Sequence, residues 1–127
     1  MLLRTLIPLC SLLLLTATSH AQFDRLEPAA FHARIMEKDV QLVDVRTAGE
    51  FAKGYITGAA NNDWLEDGFL DRAKALDKSK PVLLFCAAGG RSEEAMEALK
   101  AAGFTHVADL REGFNGWKRS NMPVAVK

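Results

Sequence analysis

The apolar residues of this 127-residue chain fall into short runs that alternate with stretches of helical spacing. Residues 41–45 (QLVDV) and 82–85 (VLLF) are short apolar runs that predict strands, and a further short strand is predicted at 106–108. The second run is apolar at every position, which is typical of a strand covered on both faces.

Helical features lie between these runs. Pro28 suits the first position of a helix, because its fixed φ matches helical geometry. Thr47 followed by Glu50 is a capping box, which predicts that a short helix begins there. Helical spacing continues at 67–76 and at 92–102.

Two segments have weaker patterns. Residues 54–62 carry turn formers around a small apolar stretch, and Asn61–Asn62 is interpreted as a turn. Segment 113–118 is predicted to begin a loop or a terminal helix.

Strands alternating with helices of roughly ten residues predict an α/β fold with a mainly parallel sheet. In such sheets, ligands bind beyond the carboxyl ends of the strands.

Residues 1–21 have the pattern of a secretory signal peptide. Arg4 precedes an apolar run at 6–15, and the small residues Ser19 and Ala21 define a cleavage site. We predict cleavage after Ala21, location in the periplasm or outside the cell, and no stable membrane insertion afterwards. A mature domain at 22–127 remains.

Two alternatives for this segment are disfavoured. A retained membrane anchor would need a longer apolar run, and Pro8 interrupts the one present. Lipidation at Cys10 would need small residues before it, whereas Ile7, Pro8 and Leu9 are bulky.

Composition narrows the function classes. Lys and Arg number 16, as do Asp and Glu, so net charge gives no support for nucleic-acid binding. The length suits one domain that buries a core alone, and we expect a monomer.

Cys10 lies in the predicted signal peptide, so Cys86 is the one thiol of the mature domain and no internal disulfide is expected. His32 and His106 show no ligand spacing with Cys86, so no metal site is predicted.

Cys86 directly follows the most apolar strand, at the ligand-binding edge of the predicted sheet. The residues after it are the candidates for substrate binding: Ala87, Ala88, Gly89, Gly90 and Arg91. Successive backbone N–H groups in such a loop bind anions, and the following helix adds its positive end. Gly89 and Gly90 allow backbone angles that other residues resist. These donors favour the thiolate, which is the nucleophile, and Arg91 offers a planar fork to an oxyanion.

Each feature alone has a simpler interpretation. A cysteine that ends an apolar strand is more often a packed hydrophobe, the glycines make a turn, and Arg91 is a solvated charge. Their combination at this edge favours a reactive site. A cysteine phosphatase needs Cys-x5-Arg, whereas Arg91 follows Cys86 after four residues and Ser92 takes the next position. The shorter loop favours a smaller resident group, such as one added sulfur.

The segment Cys86-x-x-Gly89-x-Arg91-Ser92 resembles the active-site loop of single-domain rhodanese sulfurtransferases. Further segments resemble that family in the same order: Asp44-Val45-Arg46 with Glu50-Phe51, GYITGAANN from Gly54, and Leu110 with Gly113-Phe114-Asn115-Gly116-Trp117. The resemblance implies one rhodanese-like domain at 22–127, with a five-stranded parallel sheet and helices on both faces.

The resemblance also implies a reaction. Cys86 would take a sulfane sulfur from thiosulfate or a related donor as a persulfide, and pass it to cyanide or a thiol acceptor. The amides of residues 87–91 would form the anion cradle, and Arg91 would orient the donor. No metal or organic cofactor is implied. The alternative is a persulfide carrier or sulfur-binding module of the same fold without turnover.

Other polar and aromatic residues are assigned structural roles. Asp44 would accept backbone N–H bonds, Arg46 would pair with Glu50 or another acid, and Trp117 would fill the core. Tyr55 stands where the family usually has a histidine, a mostly structural residue, so we expect little catalytic effect. Arg111 is interpreted as a solvated charge near the sheet edge, with anion attraction as the alternative.

Overall fold

Strands and helices alternate along residues 20–126, the part of the chain that this computed structural model describes. The strands are β1 (Gln22–Leu26), β2 (Gln41–Asp44), β3 (Ala60–Asn61), β4 (Val82–Phe85) and β5 (His106–Leu110). The helices are α1 (Pro28–Ile35), α2 (Ala48–Ala52), α3 (Phe69–Ala73), α4 (Gly90–Ala101) and α5 (Gly113–Arg119). The strands form one parallel sheet in the order β1-β5-β4-β2-β3.

Alternation along β4 divides the core between the two faces of the sheet. Val82, Leu84 and Cys86 belong to a buried cluster that includes residues of α3 and α4. Leu83 and Phe85 belong to a second cluster with residues of α1 and α5. The predicted α/β fold, with helices on both faces of a five-stranded parallel sheet, is confirmed. The same alternation places the Cys86 thiol on the α4 face.

Several local predictions are also confirmed. Pro28 is the first residue of α1. Thr47 and Glu50 make both hydrogen bonds of the capping box at α2. Trp117 is 1% exposed and lies in the core cluster between the sheet, α1 and α5. The ambiguous segment after Leu110 forms a helix, α5.

Other local predictions are wrong or incomplete. Strand β1 was not predicted, because three of its five residues are polar and it lies at the edge of the sheet. Asn61 is part of β3 and not of a turn, and its Nδ2 donates to the carbonyls of Asp44 and Arg46 at 3.0 and 2.8 Å. Helix α3 is shorter than the predicted 67–76.

The predicted signal peptide lies largely outside the described residues, as does Cys10. Cleavage after Ala21 and export therefore stay predictions. Within residues 20–126, no helix is long and apolar enough to cross a membrane.

Candidate active site

The Cys86 thiol lies at the carboxyl end of β4 and is 1% exposed. The backbone N–H of Gly89 donates to Cys86 Sγ at 3.0 Å. Ser92 Oγ lies 3.6 Å from the same sulfur. The turn from β4 into α4 therefore folds back over the sulfur and holds a backbone donor against it.

The turn is shorter than the sequence predicts, because α4 begins at Gly90 and not at Ser92. Gly89 has φ +102°, in the left-handed region that favours glycine. Gly90 is the first residue of α4 and has no positive φ, so of the two glycines only Gly89 uses the backbone freedom that glycine allows. One glycine makes the turn, and the other opens the helix.

Helix α5 supports the loop from behind. The N–H groups of Phe114 and Asn115 donate to the carbonyls of Cys86 and Ala87 at 2.7 and 3.0 Å. Gly113 has φ +63°, and a Cβ at this position would overlap the backbone of Ala87. These contacts turn the loop carbonyls toward α5.

The loop N–H groups remain available on the other side. Those of Ala87, Ala88, Gly90 and Arg91 have no hydrogen-bond acceptor within residues 20–126. Amides that lack protein acceptors and follow one another in a tight turn provide the donors that an anion needs.

Arg91 is paired with Glu50 of α2. Its Nη1 and Nη2 donate to Glu50 Oε1 and Oε2 at 2.7 and 3.1 Å. Hydrogen bonds from Arg91 lower the pKa of Glu50 to about 2, and bonds from Thr47 add to this. The same pair raises the pKa of Arg91. Arg91 is therefore not an isolated cation, and two of its five N–H groups are already used.

A cleft of about 270 Å³ borders the loop at Ala87. Arg46, Lys53 and Lys118 line it, together with Glu50 and residues of α5. Arg46 is neutralised by Asp44. Lys53 and Lys118 have no acidic partner in the described part of the chain. The approach beside the loop therefore carries positive charge that sequence reasoning did not identify.

A buried polar network behind the thiol was also missed. Ser92 Oγ donates to Asp109 Oδ2 at 2.6 Å, and both residues are fully buried. Arg25 donates to both oxygens of Asp109, with Nε–Oδ1 at 2.9 Å and Nη2–Oδ2 at 3.0 Å. Its Nη2 also donates to the carbonyl of Gly89 at 2.7 Å. An aspartate inside an apolar strand was a signal that a cationic partner is needed, but the partner lies on the unpredicted β1.

Asp44 and Arg46 have the structural roles that the sequence predicts, although Arg46 does not pair with Glu50. Arg46 Nη2 lies 2.7 Å from Asp44 Oδ2 and 2.7 Å from the carbonyl of Gly54, and both side chains are buried. The Tyr55 ring stacks on Phe51 with centroids 4.3 Å apart.

Arg111 contributes its main chain and not its side chain to the loop. The side chain is 57% exposed and lies 3.7 Å from Glu27. No group of His, Cys, Asp or Glu within residues 20–126 has the arrangement of a metal site.

Comparisons with known proteins agree with this architecture. The Rhodanese-like domain family matches residues 27–120. The chain is 33% identical over 107 residues to thiosulfate sulfurtransferase GlpE of Pseudomonas fluorescens, covering 84% of this chain and 94% of that protein. It is also 33% identical over 92 residues to thiosulfate sulfurtransferase 16, chloroplastic, of Arabidopsis thaliana, covering 65% of this chain and 77% of that protein.

A solved structure shows the same fold. The crystal structure of a rhodanese-related protein from Thermoplasma volcanium superimposes with a TM-score of 0.72 at 26% identity, covering 82% of this chain and 99% of that one. The family match, the sulfurtransferase relatives and the loop at Cys86 all agree. We conclude that this chain belongs to the rhodanese-like domain family, whose members transfer sulfur.

Proposed function

We propose that this protein is a thiosulfate sulfurtransferase that works through a persulfide on Cys86. The observation that carries the proposal is the turn from β4 into α4. It holds one N–H against the sulfur and leaves four neighbouring N–H groups without an acceptor among residues 20–126.

The first half-reaction is a nucleophilic displacement. The Cys86 sulfur attacks the outer sulfur of thiosulfate and forms a new S–S bond. The S–S bond of thiosulfate breaks, and its electron pair leaves with sulfite. The product is Cys86–S–S⁻, whose negative outer sulfur suits the amides of Ala88, Gly90 and Arg91.

The second half-reaction returns the protein to its starting state. Cyanide or a thiolate attacks the outer sulfur, the Cys86 S–S bond breaks, and its electron pair returns to Cys86 Sγ. With cyanide the product is thiocyanate. Neither half-reaction needs a metal or an organic cofactor.

Charge on the approach favours an anionic donor. Thiosulfate is a dianion, and Lys53 and Lys118 of the cleft provide positive charge that is not paired with an acidic residue within residues 20–126. Arg91 orients the donor with the N–H groups that do not bind Glu50. Donor and acceptor are thus small molecules, and we expect an exported monomer to carry out the reaction.

A persulfide carrier without turnover is the second candidate. The low exposure of Cys86 favours it, because an acceptor has little access to a sulfur that is 1% exposed. The outer sulfur of a persulfide extends one bond further from β4, which favours turnover.

Thiocyanate formation from thiosulfate and cyanide distinguishes the two candidates. An enzyme forms many thiocyanate molecules per chain, whereas a carrier loads one sulfur and stops. Cys86→Ser should form none while remaining folded. Wild-type turnover in Cys86→Ser would contradict both candidates.

A further inference from the structure

The Asp109 network consists of Arg25, Asp109 and Ser92, and it ends at the Cys86 sulfur. It joins three elements, because Arg25 and Asp109 are register partners on β1 and β5 and Ser92 lies in the first turn of α4. Asp109 and Ser92 are fully buried and Cys86 is 1% exposed. Neither half-reaction above uses this network.

The distances determine where the hydroxyl proton of Ser92 lies. Arg25 donates one hydrogen bond to each oxygen of Asp109, so both oxygens act as acceptors. Ser92 Oγ is 2.6 Å from Asp109 Oδ2 and therefore donates its single proton there. Its other acceptor contact, to the carbonyl of Gly89, is longer at 3.3 Å.

Ser92 consequently presents lone pairs to the sulfur. A lone pair at 3.6 Å accepts a hydrogen bond from a Cys86 thiol but cannot donate one to a thiolate. Arg25 offsets the charge of the Asp109 carboxylate, so Asp109 acts on the sulfur by fixing the direction of the Ser92 hydroxyl. The Ser92 lone pair favours the protonated sulfur, and it opposes the Gly89 N–H, which favours the thiolate.

The other charged groups around the loop occur in pairs. Arg91 of α4 is matched by Glu50 of α2, with Asp63 nearby. Arg25 of β1 binds Glu93 of α4 at 2.9 Å as well as Asp109. Within residues 20–126, two polar contacts of the sulfur remain, the Gly89 N–H and the Ser92 hydroxyl, and only the hydroxyl can either donate or accept.

We propose that Asp109, acting through Ser92, shifts the balance at Cys86 toward the thiol in the unloaded protein. Asp109 and Ser92 are positioning residues in this proposal. They lower the fraction of reactive thiolate when no donor is bound, and so protect the thiol from unspecific oxidation and alkylation.

If the protein is the sulfurtransferase proposed above, sulfur uptake includes a proton transfer. Overall, Cys86–SH and thiosulfate give Cys86–S–S⁻ and hydrogen sulfite: the proton leaves the thiol, the thiolate attacks the outer sulfur, and the departing sulfite takes up the proton. The persulfide has no proton on Sγ, and its charge lies on the outer sulfur, one bond further from Ser92. The network therefore disfavours the free thiolate more than the persulfide.

The test measures thiolate in the full chain without any sulfur donor. All variants carry Cys10→Ser, so that Cys86 is the only thiol. Ser92→Ala and Asp109→Asn should each raise the iodoacetamide reaction rate at neutral pH by about two- to tenfold, the usual range for one hydrogen bond. Ultraviolet absorbance of the thiolate should rise in parallel.

Glu93→Gln is the matched control. It removes the exposed partner of Arg25 and leaves Asp109 and Ser92 in place, so the alkylation rate should stay at the wild-type value. Ser92→Ala removes one oxygen and keeps the proposal testable if Asp109→Asn fails to fold.

An unchanged or lower alkylation rate in Ser92→Ala would overturn the proposal, because the hydroxyl would then not hold the thiol proton. A raised alkylation rate in Ser92→Ala, together with absent sulfur transfer in the wild type, would support the role of Ser92 and contradict the proposed sulfurtransferase function. The two failures are thereby distinguished.

Discussion

The Cα of Gly89 lies directly against the main-chain carbonyl of Arg111, so that a Cβ at Gly89 would overlap that oxygen. This contact joins the Cys86 loop to the turn after β5. Together with the contact between Gly113 and Ala87, it makes the shape of the loop depend on a neighbouring strand. The loop is therefore fixed by tertiary packing as well as by its own sequence.

Gly89→Ala should destabilise the protein, whereas Gly90→Ala should not. Alanine at position 89 would need φ +102° and would overlap Arg111, so we expect a loss of more than about 2 kcal/mol in the free energy of unfolding. Gly90 has nothing within 4 Å of an added Cβ, so the change there should be within about 0.5 kcal/mol. Urea unfolding of both variants measures this, and equal stabilities would contradict the packing account.

Arg91→Ala and Glu50→Gln test whether Arg91 orients the donor. Losing a charge-assisted contact costs ~1.5–3 kcal/mol, so Arg91→Ala should slow persulfide formation from thiosulfate by roughly ten- to a hundredfold. An uncharged polysulfide donor should be affected much less. Glu50→Gln keeps Arg91 and removes the opposing charge, so uptake from thiosulfate should not fall.

Single-turnover persulfide formation with both donors separates the outcomes. Equal losses with both donors, in Arg91→Ala and in Glu50→Gln, would show that the ion pair only holds α2 against the loop. No loss in Arg91→Ala with either donor would remove Arg91 from the site.

Stability should depend on pH through Glu50. Because pairing with Arg91 lowers its folded pKa to about 2, the pair stabilises the fold fully above the ordinary value of 4.5. This stabilisation is lost as the pH falls from 4.5 to about 2. The difference in unfolding free energy between wild type and Glu50→Gln should be constant near neutral pH and shrink across that window. Chemical denaturation at several pH values measures it, and a difference that persists to pH 2 would contradict the assignment.

Lys53→Gln combined with Lys118→Gln should raise the KM for thiosulfate several-fold. The two changes remove the unpaired cations of the cleft beside Ala87. Because surface charge is screened by salt, the wild-type KM should rise with ionic strength more steeply than that of the variant. Lys74→Gln, which removes a cation that is paired with Asp71 and does not line the cleft, is the control. An unchanged KM in the double variant would mean that the donor does not enter through the cleft.

Much of the fold follows from the sequence because buried segments have distinctive patterns. Strand β4 is apolar at every position, and the capping box at Thr47 is a local signal that needs no tertiary information. Strands β1 and β3 lie at the two edges of the sheet, where half of the side chains stay polar. Their pairing is determined by neighbouring strands, and local pattern did not reveal it.

The candidate active site likewise combines features that the sequence predicts with features that depend on tertiary contacts. Cys86 and its loop are contiguous in the sequence, so their spacing alone indicated an anion cradle. Arg25 and Asp109 are 84 positions apart and meet only through the register of β1 and β5. The pairing of Arg91 with Glu50 also depends on how α2 packs beside α4. Contacts between distant elements therefore account for most of what the sequence did not predict.

Intact-mass analysis after thiosulfate treatment tests the central claim most directly. The Cys10→Ser protein is treated with thiosulfate, desalted without reductant and compared with the same protein carrying Cys86→Ser. We expect one added sulfur atom on the first and none on the second, with both proteins folded. A folded Cys10→Ser protein that gains no sulfur, or an equal gain in the protein without Cys86, would contradict a persulfide on Cys86.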